Sequence, residues 1–504
     1  MLRTSPSLLK RTVRPCLALP RRRHQSQETR QTPQGQFIQD HFVTSAGIAI
    51  NLFTRFVKFS LLGALGLGFT GWTIFEGTHL WVESVELASD VDDEIRQWEW
   101  HQDAERWTGG EHGGTDPALG FRARHLLRGS WMAENWGVGS TTFADGAGMS
   151  SLNAIEARLD FAQNYLDMAI KIAETKMTSA KLRPQTLNEL LFRHGAVLER
   201  IGTKEAVFEA RLKYERVWAS LPGKGTDAAR IASKLGDLNF RLGDSNDALA
   251  WWTRSLSLSQ GTQQTEGSVV PTISQPAPSS PSAQRTLTST LVSLSAYYST
   301  SGQLNQARQL QETALVLLRS IPSPKNISAA SPPQMLHSLY LLHRSSLISI
   351  HLAEVLYALR SPRQSSFDYL SRAAESSERV ALALTGLPFN PPDAKGSGVV
   401  VHTPAQETPI LPLFAKSHAM RKPATGLLRD ARRTAAEAWN LMGILSEQGG
   451  DMERALTCYE RAVGWAGVTS DQSSPGEGML EADWKVLWAN YSRARGTTQK
   501  KEKC

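Results

Sequence analysis

AEAWNLMGILSEQGGDMERALTCYERA, residues 436–462, reads as two helices of similar length folded back on each other. Trp439 is followed by Gly443 four residues later and by Gly450 seven beyond, and then by Ala455, Tyr459 and Ala462. Apolar residues at helical spacing, a Gly-rich break and a second helical stretch describe a helix–turn–helix hairpin. Small residues at Gly443 and Ala455 suit the crossing point, where two backbones approach closely. Gly450 supplies the left-handed end of the first helix. Trp439, Tyr459 and Ala462 carry the packing, with Tyr459 filling the gap towards a neighbouring hairpin. One hairpin cannot bury its own apolar face, so others must stack on it.

Two further windows share the register. Ala229–Ser255 carries Leu235, Gly236, Gly243, Ala248 and Trp252. Thr288–Ala314 carries Leu294, Tyr298, Gly302, Ala307 and Ala314. In all three a Gly stands five residues before the Ala that opens the second helix. Weaker hairpins flank Gly202 (187–200 with 204–218) and Pro362 (335–360 with 363–384). Residues 152–173 read as a second helix whose partner is expected near 80–107, and 480–495 as a capping helix.

This pattern resembles the tetratricopeptide repeat family, most closely in Ala436–Ala462. Departures are visible: Gly467 stands where the family's terminal Pro is expected, Gln311 replaces an aromatic, and Ser295 replaces a small Gly or Ala. The resemblance implies an all-α solenoid with a peptide-holding groove lined by first helices. Its groove positions fall on Asn440, Ile444 and Glu447, on Ser233, Asp237 and Phe240, and on Val292, Ala296 and Ser299. They lack the Lys/Arg clamp of the subfamily that grips C-terminal carboxylates.

Outside the array the chain changes character. The first 30 residues hold eight Lys/Arg against one acid, Glu28, which leaves 47 of each sign elsewhere. The pI near 9.3 therefore reports the N-terminus, and the neutral remainder argues against nucleic-acid binding. A basic, hydroxyl-rich, acid-poor start is the composition of a mitochondrial transit peptide. FSLLGALGLGFTGWTIF, residues 59–75, has no charge over 17 residues and is expected to cross a bilayer. Gly63, Gly66, Gly68 and Gly71 are tolerated in a membrane helix. Arg55 and Lys58 precede the span, whereas Glu76, Glu83, Glu86, Asp90, Asp92, Asp93 and Glu94 follow it. That bias places the bulk of the chain in the intermembrane space.

The expected organisation is a leader (1–26), a linker (27–47), the span (48–76), an acidic helix with a Gly/Trp-rich insert (77–150) and hairpins (151–258). A disordered Pro/Ser linker (259–286), hairpins (287–385), a disordered loop (386–426), the last repeat with its cap (427–495) and a basic tail (496–504) complete it. Cys16, Cys458 and Cys504 form neither a disulfide framework nor a zinc spacing. GVGST (137–141) and PGKGT (222–226) lack the full phosphate-loop pattern, and His101, Glu111, His112 and His125 follow no ligand spacing. No cofactor, no metal and no enzymatic activity are expected.

A narrower resemblance follows from the architecture. A fungal-type leader, one inner-membrane span and a repeat domain beyond it are similar to the tetratricopeptide adaptor subunit of the mitochondrial i-AAA protease complex. Residues 160–218 have the helix lengths and turn placement of that family's first repeats. The resemblance implies protein partners: an AAA protease and unfolded membrane-protein substrates, with lipid met through the span. An assembly factor for a respiratory complex is the alternative.

Overall fold

Helix α1 runs from Phe37 to Trp81 and contains the whole of the expected span 48–76. The computed structural model describes residues 37–502, apart from 91, 105–106, 111–112, 138–150, 178–181, 222, 263–270, 272, 325, 388–408 and 467–480. The leader lies outside the described residues. The chain divides after Glu76 into two units.

In the first unit, Leu61, Leu65, Phe69 and Trp72 are all exposed. A Cβ placed on Gly63, Gly66, Gly68 or Gly71 would meet nothing within 4 Å. The stretch Ala49–Glu86 is long and apolar enough to cross a membrane. An uncovered apolar surface of this kind is costly in water and favourable in lipid.

The second unit is a succession of antiparallel helix pairs: α4 (Gly120–Trp136) with α5 (Ser151–Lys176), α6 (Thr186–Ile201) with α7 (Lys204–Ser220), and α8 (Thr226–Leu242) with α9 (Ser245–Gln260). Then come α10 (Pro281–Thr300) with α11 (Leu304–Ser320), α12 (Pro332–Ala358) with α13 (Arg363–Thr385), and α15 (His418–Gln448) with α16 (Met452–Trp465). Helix α17 (Glu481–Glu502) packs on α16, and the short α14 (Pro412–Ala415) precedes α15. The first helices pack in sequence, α8 on α10, α10 on α12 and α12 on α15. The core is accordingly a string of clusters, one spanning α4–α8, one α9–α12 and one α12–α16. This is an α-solenoid of tetratricopeptide type.

The turn chemistry follows the sequence reading. Gly202, Gly243, Gly302 and Gly450 all have positive φ after first helices. Between α12 and α13 the left-handed residue is Arg360 (φ 56°), with Pro362 two residues on.

Several boundaries differ from expectation. Helix α10 begins at Pro281, inside the stretch expected to be a linker to 286, because Ser280 caps it and Pro281 suits the first helical position. Helix α15 begins at His418, inside the expected 386–426 loop, capped by Ser417 and tolerating Pro423 within its second turn. Residues 152–173 pair with α4, not with 80–107, so the expected 77–150 insert contains a first helix. The Gly-rich start of that insert is packed. Gly113 approaches Leu87–Ser89 so closely that a Cβ would lie 2.3 Å from the Ser89 nitrogen, and Thr108 is fully buried.

Candidate peptide-binding face

The repeat signature resolves into direct contacts. A Cβ on Gly236 would lie 2.4 Å from the Trp252 ring, and one on Gly443 would lie 2.5 Å from the Tyr459 ring. Each aromatic thus fills the notch that the glycine leaves in its own hairpin, not only the gap to the next. Trp252 also meets Tyr297 of the next first helix, ring centres 5.8 Å apart. Ala248, Ala307, Ala455 and Ala462 are buried at the crossings, as is Tyr298. Where this spacing has Ser295 and Gln311, a hydrogen bond of 2.9 Å from the amide to the hydroxyl replaces the Gly–aromatic contact. Gly195 and Tyr214 make a further pair, 2.9 Å from added Cβ to ring, at a longer spacing that the pattern did not capture.

The nine groove positions fall into two groups. Ser233 is buried and its hydroxyl accepts from Thr290 at 3.1 Å. Asp237 accepts from Trp252 Nε1 at 2.9 Å and from Ser293 at 2.8 Å, and burial raises its pKa despite those two bonds. Phe240 is exposed, its ring edge-on to Tyr297. Val292 and Ala296 are half-buried, and Ser299 accepts from Gln311 at 3.1 Å. Ser233, Asp237 and Phe240 therefore meet α10 at the seam between α8 and α10, whereas Ser299 is tied to α11. The other three lie under α17: Asn440 accepts from Asn490 at 3.0 Å, Glu447 from Arg493 at 2.8 Å and from Tyr459 at 2.9 Å, and Ile444 packs against the cluster that Ala455 and Tyr459 form with Ala494 of α17. Helix α17 takes the place a further first helix would have, and those three positions are covered.

The Arg344 guanidinium of α12 lies over the Tyr340 ring at 4.8 Å. Burial opposes its charge, but Tyr340, Asp430 of α15 and Asp237 of α8 outweigh it and raise its pKa. Glu354 is pushed up to about 7, first by burial and then by the like charge of Glu437. Charged groups of both signs from three first helices, α8, α12 and α15, thus act on one another.

The unexpected component is the stretch just after α1, which lies across the N-terminal ends of the first helices. It contains two short helices, α2 (Asp93–Gln97) and α3 (Trp100–Asp103). Trp100 is buried, its indole donates to the Pro333 carbonyl at 2.9 Å, and Arg285 of α10 sits 4.0 Å above its ring. Arg285 also donates to Asp103 at 2.5 Å. Glu99 accepts from the Ser282 amide at 2.9 Å and the Ser280 hydroxyl at 2.5 Å, at the start of α10. Asp90 does the same at the start of α15, accepting from the Ala419 amide at 2.7 Å and Ser417 at 2.8 Å. Arg230 of α8 reaches Asp103 and the Gln102 carbonyl. Acidic residues thus satisfy free amides at two helix N-termini, where the helix dipole favours negative charge. A desolvated cation–π contact contributes about 2 kcal/mol and burial of Ile95 about 1.5–3 kcal/mol.

Neither Arg285 nor this seated stretch was singled out from sequence. The available signal was three tryptophans, Trp98, Trp100 and Trp107, among acids, more aromatic surface than a solvated linker carries. Buried carboxylates were missed too. Glu378 of α13 accepts from Trp439 Nε1 at 2.7 Å, Trp465 Nε1 at 2.6 Å and Arg461 at 2.5 and 2.6 Å. Glu134 of α4 is held by Arg193, Arg200 and Lys422. A cleft of about 630 Å³ opens beside the start of α10, lined by Gln275, Pro276, Pro278 and Pro322 among others, with no charged side chain. Among the described residues no group of three or more His, Cys, Asp or Glu side chains could hold a metal ion. Of the four scattered His and Glu, His125 stacks between Phe121 and His79 and His101 lies in α3, whereas Glu111 and His112 fall outside the described residues.

A tetratricopeptide repeat model matches residues 436–468, the hairpin α15–α16. No curated protein matches the chain. Among solved structures, the chain is similar to a monomeric mutant of IFIT1 with Gppp-AAAA, at 14% identity, covering 78% of this chain and 94% of that one. The TM-score of that likeness is 0.17. The fold is thus a helical repeat array whose last hairpin matches a tetratricopeptide repeat, and repeats of this type serve in protein binding; among the described residues one helix, near the N-terminus, is long and apolar enough to cross a membrane.

Proposed function

We propose that the chain is a membrane-anchored adaptor of the mitochondrial inner membrane, with its repeat array in the intermembrane space, where it recruits unfolded membrane-protein substrates to an AAA protease. The carrying observation is that the first helices α8, α10, α12 and α15 stand side by side and already hold a stretch of polypeptide across their ends. The basic N-terminus and the acidic flank of the span support the address and the orientation. The array acts by binding and positioning: it holds an extended substrate beside a partner that does the chemistry. The experiment is crosslinking in intact mitochondria, followed by purification of the full chain in detergent and mass spectrometry. Recovery of an AAA protease hexamer supports the adaptor. Recovery of a respiratory subcomplex without protease overturns it in favour of an assembly role.

A further inference from the structure

The acidic stretch across the first-helix ends is held at its neck as well as at its tip. Ala88 and Gly113 form an antiparallel bridge, and the Gly114 amide donates to the Leu87 carbonyl at 2.6 Å. The Gly113 side of this neck is fixed from outside the stretch, since Arg183 donates to the Thr108 carbonyl at 2.5 Å and Asp116 accepts from Thr186 at 2.6 Å. The two ends therefore meet whether or not the tip is seated, and loop closure is already met at the neck. Helices α2 and α3, at five and four residues, are too short to persist alone, so their order derives from the surface they lie on.

That surface has the features of a peptide site. Arg285 offers a flat cation to an indole and an ionic bond to a carboxylate three residues further on, and the Ser282 amide receives the carboxylate before the indole. His337 stays neutral beside it, its pKa lowered to about 3 by burial and then by Arg285. Its Nδ1 lies 3.2 Å from Arg285 and its ring centre 5.2 Å from that of Trp98. The order of groups is acid, Trp, two residues, acid.

We propose that the ends of α8, α10 and α12 form a binding surface for acidic, tryptophan-bearing peptide segments, and that residues 92–104 are a tethered copy of that ligand. The proposal rests on the reading of the array as a polypeptide binder and names the chemistry of one class of its partners. A partner segment with the same order of groups competes with the tether for Arg285.

The test uses the full chain in detergent and a fluorescent synthetic peptide carrying residues 92–104. The chain as it stands should bind the peptide weakly. Trp100→Ala with Asp103→Ala in the tether should tighten binding at least tenfold, and adding Arg285→Ala should abolish the gain. No tightening in the double variant overturns the proposal, and so does loss of helicity in it, which would make the stretch part of the core. Amide exchange of the unaltered chain gives an independent reading: Ile95 and Trp100 should exchange at least a hundredfold faster than the middle of α10. Equal protection overturns the proposal. Failure here with protease still recovered by crosslinking leaves the adaptor reading standing on another face; peptide binding with no such recovery does the reverse.

Discussion

At the scale of single residues, the hairpins depend on notches. Gly443 and Gly236 are helical glycines, which on propensity alone cost about 1 kcal/mol each relative to Ala. They are kept because a ring occupies the Cβ position. Gly443→Ala should therefore destabilise the array by about 1–3 kcal/mol through overpacking. Gly426, in the same helix with nothing within 4 Å of its Cβ, should behave oppositely, and Gly426→Ala should stabilise by about 0.5–1 kcal/mol. Urea unfolding of the two variants side by side checks both signs. Equal effects would show that the ring does not fill the notch.

At the scale of elements, buried carboxylates join helices distant in sequence. Glu378 belongs to α13, yet its oxygens are taken by Trp439 of α15 and by Arg461 and Trp465 of α16. Its side chain is 2% exposed and that of Arg461 is 9% exposed. Removing one partner leaves the other charged and uncompensated, so Glu378→Ala should cost about 3–5 kcal/mol. Combining it with Arg461→Ala should cost less than the sum of the two, by about 0.5–3 kcal/mol. Additive losses in a double-mutant cycle would rule out the coupling. Glu83 works on a smaller scale at the start of the unit. Burial would raise its pKa, but the Thr115 bonds and Arg124 outweigh it and hold the carboxyl below its usual range.

At the scale of the whole molecule, four buried histidines set a pH dependence. Burial lowers His194 and His351 to about 4 and His337 and His343 to about 3. The unfolded chain takes up these protons near pH 6.5, whereas the native state does not until pH 3–4. Their stabilisation is complete above pH 6.5 and is lost as pH falls towards 4, by up to about 1.4 kcal/mol per pH unit for each. Glu354, raised to about 7, acts in the opposite sense between its unfolded value of 4.5 and 7 and offsets part of the loss. The urea midpoint should fall between pH 7 and pH 5, less steeply in His343→Asn. A midpoint that rises would mean that these histidines are charged in the native state. The first unit makes a separate prediction: the full chain should stay with organelle membranes in alkaline carbonate, and its release would exclude a spanning helix.

The hairpin pattern, the left-handed turns and the apolar stretch were legible in the sequence, whereas the seating of each ring in the notch of Gly236 or Gly443 was not. Each of the three legible features follows from contacts within about 20 residues, where periodicity and turn chemistry act. What the Gly/Trp-rich insert does, which groove positions stay open and where Arg285, Glu378 and Glu134 find their charges depend on partners 60 to 290 residues away. No local period encodes such pairs. An acidic stretch such as 92–104 reads as part of an acidic helix with no stated destination until the helix ends that receive its carboxylates are brought together, and only stacking of the hairpins does that.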